Sequence, residues 1–225
     1  MGSLLSSVQE DRISWFKSCR LNAVERSKMK HCKSFAGILS LVLFFLANFK
    51  FSICSKFYDI NAKDIYGRNI LMSDFRGKVV LIVNVASECG YTDLHYKQLV
   101  DLQSRFSVDH FVILAFPCNQ FGSQEPNRNS AIERFARKKY KVQFRMFSKI
   151  NVIGEQAHPL YKFLESQARR SPTWNFNKYL IDREGNVEKY WDHTVPPLDC
   201  LKKIKKVLNF AVYNSETLRV DAGEL

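Results

Sequence analysis

Residues 78–86 (KVVLIVNVA) and 110–116 (HFVILAF) are continuous apolar runs. Such runs read as strands covered on both faces, the condition of a strand inside an α/β sheet. Between them, TDLHYKQLVDLQSRF sets Leu94, Leu99, Leu102 and Phe106 at near-helical spacing, which predicts a helix facing inward through those residues. Strand, helix and strand in that order make a βαβ unit, expected to be parallel and right-handed. A chain with this centre is constrained to wrap helices around a sheet.

The flanking segments extend the pattern. Phe57-Tyr58-Asp59-Ile60 and Asn69-Ile70-Leu71 flank a Tyr66-Gly67-Arg68 turn and read as a hairpin. A helix is predicted over 129–140, with Asn129 or Ser130 as its cap and Ile132, Phe135 and Ala136 inward. Another opens near Pro159 and runs over 158–167. Residues 178–181 and 187–191, joined by Asp182-Arg183-Glu184-Gly185, form a second hairpin, and Leu198, Leu201, Ile204, Leu208 and Ala211 line one side of a last helix. Strands interleaved with helices and closed by a hairpin indicate one α/β domain with a mixed sheet.

Cys89 falls where the first apolar strand gives way to the helix. At the first turn of a helix, unpaired N–H groups and the positive end of the dipole favour thiolate, the nucleophilic form of cysteine. The local string Cys89-Gly90-Tyr91-Thr92 reads like a C-x-x-C redox motif with Thr92 in place of the second cysteine. A resolving thiol, if the chemistry uses one, must come from elsewhere.

Ahead of the domain, residues 34–49 carry no charge and lie between Lys33 and Lys50. Extended to Cys54, the run reaches the ~20 residues that cross a bilayer, with Lys50 able to snorkel near its end. Arg20, Arg26, Lys28, Lys30 and Lys33 precede it, which predicts a cytosolic N-terminus and a type II membrane protein. The expected organisation is a basic cytosolic tail over 1–33, a transmembrane signal-anchor over 34–54, the α/β domain over 55–213 and a tail over 214–225. The net charge of +12 does not indicate nucleic acid. Its basic residues divide between the tail and the last helix (Lys202, Lys203, Lys205, Lys206), and neither stretch has a stacking platform or nucleic-acid motif.

The six cysteines are dispersed and show no metal-ligand spacing, so neither a disulfide framework nor a bound metal is expected. Taken singly, Cys118 after the second strand reads as a buried inert thiol and Trp174 as a core aromatic. Gln124 and Asn175 read as exposed or capping residues, and Cys200 as packing within the last helix.

Three strings in order, NVASECGYT, FPCNQFGSQEP and WNFNKYL, resemble the glutathione peroxidase family. The resemblance runs from about Phe57 to Leu208. It implies a thioredoxin-like fold, with a central mixed sheet flanked by helices, and reduction of hydroperoxides. By the same resemblance Cys89 is the peroxidatic cysteine, and Gln124, Trp174 and Asn175 complete the catalytic set. An amide or indole N–H suits that role, because it stabilises charge on sulfur and on the leaving oxygen without becoming a nucleophile.

The sequence is most similar to the endoplasmic-reticulum branch of that family, glutathione peroxidases seven and eight, in the NVASECG string and in lacking an oligomerisation loop. The eighth also shares the N-terminal span. The branch implies that Cys118 resolves the Cys89 sulfenic acid and that protein disulfide isomerase reduces the disulfide, with no cofactor beyond the thiol reductant. The stretch RFARKKYKVQF, where other relatives carry a resolving cysteine, has none. A monomer in the endoplasmic reticulum membrane is expected, with a lumenal catalytic domain. Ala222-Gly223-Glu224-Leu225 is not a full K-D-E-L-type signal, so residence would rest on the anchor. The family usually has proline before Met146-Phe147, whereas this chain has Arg145, which leaves the local turn open. Two other readings compete with the isomerase-linked one: a one-cysteine peroxidase that uses glutathione, and a membrane-tethered redox sensor with incidental peroxidase activity.

Overall fold

Strand β3 (Val79–Val85) pairs in parallel with β4 (Phe111–Pro117), Val79 opposite Phe111 and Val85 opposite Pro117. All seven residues of β3 are buried, as the apolar run requires of a strand covered on both faces. The structure is a computed structural model that describes residues 57–209. The expected span over 34–54 lies outside them, and among the described residues no helix is long and apolar enough to cross a membrane.

Chain order begins with a 3₁₀ turn at Phe57–Asp59 and the short antiparallel pair β1 (Asn61–Lys63) and β2 (Asn69–Leu71). The expected hairpin therefore exists with a different first arm. Phe57 and Tyr58 are both buried, although neighbouring strand residues point to opposite faces, so the chain coils there and extends only from Asn61. After β3 come α1 (Thr92–Ser104), β4, α2 (Asn129–Tyr140), the two-residue β5 (Arg145–Met146) and α3 (Pro159–Ala168). The hairpin β6 (Lys178–Ile181) and β7 (Val187–Trp191) follows, then a 3₁₀ turn at Pro197–Cys200 that leads into helix α4 over 201–209.

The main sheet has the order β5-β4-β3-β6-β7. β5, β4 and β3 are parallel neighbours, while β6 and β7 are antiparallel additions, so the sheet is mixed as expected. Arg145 does not disturb the chain: it forms the exposed edge residue of β5, opposite Leu114, with its guanidinium 5.8 Å from the Phe75 ring.

Side chains alternate between two core layers. Val79, Leu81, Val83 and Val85 join α1 residues Tyr96, Leu99 and Leu102 and the α4 residues Ile204 and Val207 on one face. Val80, Ile82, Leu114 and Phe116 join Leu160, Tyr161 and Leu164 of α3 on the other. Helix α1 is rotated from expectation: Leu94 is 45% exposed, while Thr92, His95 and Tyr96 turn inward, and Phe106 lies past its end against Phe111. At α2 the N-cap is Arg128, without a side-chain bond, and Asn129 Oδ1 instead accepts from the Lys149 N–H at 3.0 Å. His158 caps α3, its Nδ1 accepting the Leu160 N–H at 3.2 Å, with Pro159 next.

Candidate active site

Cys89 lies in the loop that carries the chain from β3 into α1, at the end of the parallel strands where ligands gather in open α/β sheets. Helix α1 begins only at Thr92, with Tyr91 as N-cap, so Cys89 precedes the first turn instead of occupying it. Thr92 holds the loop closed. Its hydroxyl donates to Ala86 O at 2.8 Å and accepts the Cys89 N–H at 3.1 Å, while its own N–H donates to Cys89 O at 3.0 Å. The residue that replaces a second cysteine is thus a polar brace across the loop. Tyr91 packs between His95 and His193, ring centroids 5.8 and 5.1 Å away, and Cys89 is left 8% exposed.

Gln124 reaches this loop from the segment after β4. Gly122 and Ser123 both have positive φ (61° and 53°), a tight reversal that glycine adopts without strain. The reversal lets Gln124 O accept the Glu88 N–H at 3.0 Å, one residue from Cys89. Asn175 comes from the segment before β6. It is fully buried, and its Nδ2 donates to Gln124 Oε1 at 2.9 Å and to Phe121 O at 3.3 Å. Both amide hydrogens of Asn175 are thereby engaged. The bond fixes the Gln124 side chain with its NH₂ free of a protein acceptor among the described residues. Trp174 is half-buried and packs against both core layers, with its ring 6.0 Å from Phe121.

The third string owes its shape to Asn84, the one polar residue inside β3. Asn84 Nδ2 donates to Trp174 O at 2.8 Å, and its Oδ1 accepts the Asn177 N–H at 2.9 Å. Between them Phe176 takes a left-handed φ of 68°, held because its ring is buried and its N–H donates to Asn84 O at 2.6 Å. Two strands and two loops thus bring Gln124, Trp174 and Asn175 to the Cys89 loop.

Cys118 shares no hydrogen bond with Gln124, Trp174 or Asn175. Its N–H donates to Val85 O at 3.0 Å, which anchors its backbone beside the end of β3. Its side chain follows Leu114 and Phe116 into the opposite core layer from Cys89. There the Gln120 N–H lies 3.4 Å from Sγ, while Gln120 Oε1 accepts from the Val152 and Ile153 N–H groups. Burial pushes the Cys118 thiol up from its ordinary range. Cys200, buried in the turn before α4, is pushed up to about 12 by burial.

The site also contains residues that the sequence reading passed over. Asn84, Ser87, Glu125 and Asn177 all stand inside the three strings, and the signal was polarity out of place: an asparagine inside an apolar strand run and a glutamate directly after Gln124. Glu125 is fully buried and accepts from Ser87 Oγ at 3.0 Å through Oε2. Burial pushes its carboxyl up to about 7, opposed by the Ser87 hydrogen bond and the charge of Lys149. Among the described residues no group of three His, Cys, Asp or Glu side chains is placed to hold a metal. A groove of about 780 Å³ runs past Lys78, Phe106 and Arg145 and contains none of these site residues.

Residues 57–165 match the glutathione peroxidase family. The chain is 48% identical to glutathione peroxidase 7 of Mus musculus over 163 residues, which is 72% of this chain and 88% of that protein. The chain belongs to the glutathione peroxidase family. It is also 44% identical to the probable glutathione peroxidase 8 of Homo sapiens over 170 residues, 73% of this chain and 81% of that one. Among solved structures, Trgpx in apo form is 36% identical with a TM-score of 0.56, covering 68% of this chain and 96% of its own. A thioredoxin-family thiol:disulfide interchange protein from Chlorobium tepidum, 15% identical at a TM-score of 0.52 over 66% of this chain and 92% of its own, shows the shared thioredoxin-like fold. The family match ends before Trp174 and Asn175, so their place in the site rests on the hydrogen bonds described above.

Proposed function

We propose that this chain is a cysteine peroxidase in which Cys89 reduces hydrogen peroxide or organic hydroperoxides. The observation that carries the reading is the junction of three separate strings at one loop, through Glu88 N–H to Gln124 O and Asn175 to Gln124. The Cys89 thiolate attacks one peroxide oxygen, the O–O bond breaks, and the displaced oxygen leaves as alkoxide or hydroxide and takes up a proton. Cys89 is left as a sulfenic acid. The free Gln124 amide and the Trp174 indole N–H are the donors for the sulfur and for the leaving oxygen. Asn175, with both hydrogens engaged, serves by holding Gln124 in the donating orientation.

Cys118 resolves the sulfenic acid in this reading. Its sulfur attacks Cys89 Sγ, water leaves, and a disulfide forms that a dithiol protein of the protein disulfide isomerase type reduces. No cofactor is needed beyond that reductant. A bridge requires the two Cα atoms within ~7 Å and the Cβ vectors facing, so Cys118 must leave its core layer to reach Cys89. Similarity to glutathione peroxidases 7 and 8, together with the apolar run over 34–54, supports a monomeric type II enzyme anchored in the endoplasmic reticulum membrane. The opposite seating of Cys118 favours a second reading, in which a small thiol such as glutathione meets the sulfenic acid directly.

Non-reducing mass spectrometry of the full chain after one equivalent of peroxide tests both. A Cys89–Cys118 disulfide, lost in Cys118→Ala, supports the two-cysteine route. A stable Cys89 sulfenic acid that only glutathione discharges supports the other, and an unoxidised Cys89 defeats the peroxidase reading altogether.

A further inference from the structure

Glu125 is buried more completely than its neighbours in the FGSQE turn would lead one to expect. It is 0% exposed, and its Oε1 has no hydrogen-bond partner. A buried carboxyl that contributed nothing would be a standing cost, since burying a polar group without full pairing is unfavourable. Its remaining contacts all fix its position. The Glu125 N–H donates to Asn119 Oδ1 at 2.8 Å. Its carbonyl accepts from Lys149 Nζ at 2.9 Å, and the same ammonium also takes Asn127 O at 2.8 Å. Its Oε2 accepts from Ser87 Oγ at 3.0 Å.

The last contact crosses between the two loops that matter. Ser87 precedes Cys89 by two residues, and Glu125 follows Gln124 directly. The same two loops are joined again by the Glu88 N–H to Gln124 O bond. One main-chain tie and two side-chain ties, Ser87 to Glu125 and Asn127 Nδ2 to Glu88 Oε1 at 3.4 Å, therefore hold the loop of the thiol in register with the loop of the amide. The Ser87–Glu125 tie is the shorter and more buried of the two side-chain contacts, and it adds to the Thr92 brace within the Cys89 loop.

We propose that Glu125 is a positioning residue for the peroxidase reaction, clamping the Cys89 loop to the Gln124 loop through Ser87. The inference rests on the reading of Cys89 given above and adds to it a residue that touches neither peroxide nor sulfur. The clamp needs only an acceptor at Oε2, which the carboxyl offers whether or not it is ionised, and Glu88, Tyr96, Cys118 and Lys149 are the charged or titratable groups facing it. An amide of the same shape can accept the Ser87 hydroxyl equally, whereas a methyl group cannot.

The experiment measures the rate constant for oxidation of Cys89 by hydrogen peroxide in Glu125→Ala, Glu125→Gln, Ser87→Ala and the Glu125→Ala/Ser87→Ala pair. It also measures the alkylation of Cys89 by iodoacetamide, as variant-to-wild-type ratios. Loss of the clamp is expected to slow peroxide oxidation roughly 10-fold or more, the scale of a loop displaced by a fraction of an ångström. Glu125→Gln is expected to stay within about 2-fold of wild type, and the pair to be no slower than Glu125→Ala alone, because both changes break one contact. Ser87→Ala keeps the test available if Glu125→Ala does not fold. An unchanged peroxide rate in Ser87→Ala and Glu125→Ala would overturn the proposal, as would a Glu125→Gln variant as slow as Glu125→Ala. If wild type shows no Cys89-dependent peroxide reaction, the preceding reading fails instead. The clamp is then judged by alkylation, whose ratios must change in Ser87→Ala and be restored in Glu125→Gln for it to stand.

Discussion

Asn175 donates its side-chain N–H to Gln124 Oε1 at 2.9 Å, across 51 residues of chain. The bond occupies the oxygen end of the Gln124 amide. An oxygen already accepting from Asn175 leaves the NH₂ as the end available to a developing negative charge.

Gln124→Ala is accordingly expected to slow Cys89 oxidation about 100-fold, the usual effect of removing a donor aimed at developing charge. Asn175→Asp should come close to the same loss, because a carboxylate cannot donate to Gln124 Oε1 and would turn the amide around. The Gln124→Ala/Asn175→Asp pair should be little slower than Gln124→Ala alone, since the two residues act through one contact. Stopped-flow peroxide kinetics on the three variants measures this. Additive losses would show that Asn175 acts on its own.

Cys118 is pushed toward its thiol form by burial in the layer opposite Cys89. Resolution by this sulfur needs its thiolate, whose fraction rises about 10-fold per pH unit below the thiol's pKa. Disulfide formation after peroxide is therefore expected to be slower than sulfenic acid formation at pH 7 and to accelerate steadily toward pH 9. Gln120→Ala, which releases the segment holding Cys118, should accelerate it further. Dimedone trapping of Cys89 against time, paired with non-reducing mass spectrometry, reads both steps.

Thr92→Val keeps the shape of the side chain and removes the hydroxyl that bridges Ala86 O and the Cys89 N–H. Two buried main-chain groups would lose a partner. The expected cost is about 2–6 kcal/mol of unfolding free energy, from ~1–3 kcal/mol for each of the two groups left unpaired. Urea unfolding of the full chain checks it, and a loss below about 0.5 kcal/mol would place the hydroxyl outside the loop's support.

Glu125 gives a pH dependence of definite sign. Its carboxyl binds its proton more tightly in the folded chain, at about 7 against an ordinary 4.5. The folded state thus holds more proton than the unfolded state between those values, and stability falls as pH rises through the window. Relative to Glu125→Gln, wild type should lose at most about 3 kcal/mol between about pH 4.5 and 7, at ~1.4 kcal/mol per unit. Melting temperatures of the two chains across that range make the comparison. A difference that grows in the opposite direction would contradict the burial.

The apolar runs of β3 and β4, the 3.6-residue spacing of α2 and the Asp182–Gly185 turn each determine their own element, because burial on both faces, an amphipathic stripe and a tight reversal are local properties of the chain. The three strings likewise carry Cys89, Gln124, Trp174 and Asn175 in legible form. What local reading placed wrongly has a common cause. Phe57 and Tyr58 coil instead of extending because both rings are wanted in the core, and α1 turns Leu94 outward because the Cys89 loop and Tyr96 set its rotation.

A βαβ centre with a cysteine where its first strand ends follows from the local pattern of the chain. That Asn84, Ser87 and Glu125 join the site, and that Cys118 faces the other layer, follows from the packed fold. Their hydrogen bonds span 38 to 93 residues of chain and exist only once the sheet has aligned the loops. The face of the sheet that a side chain takes follows from strand register, which flips with a shift of one residue. Neither quantity is stored in any short stretch of sequence.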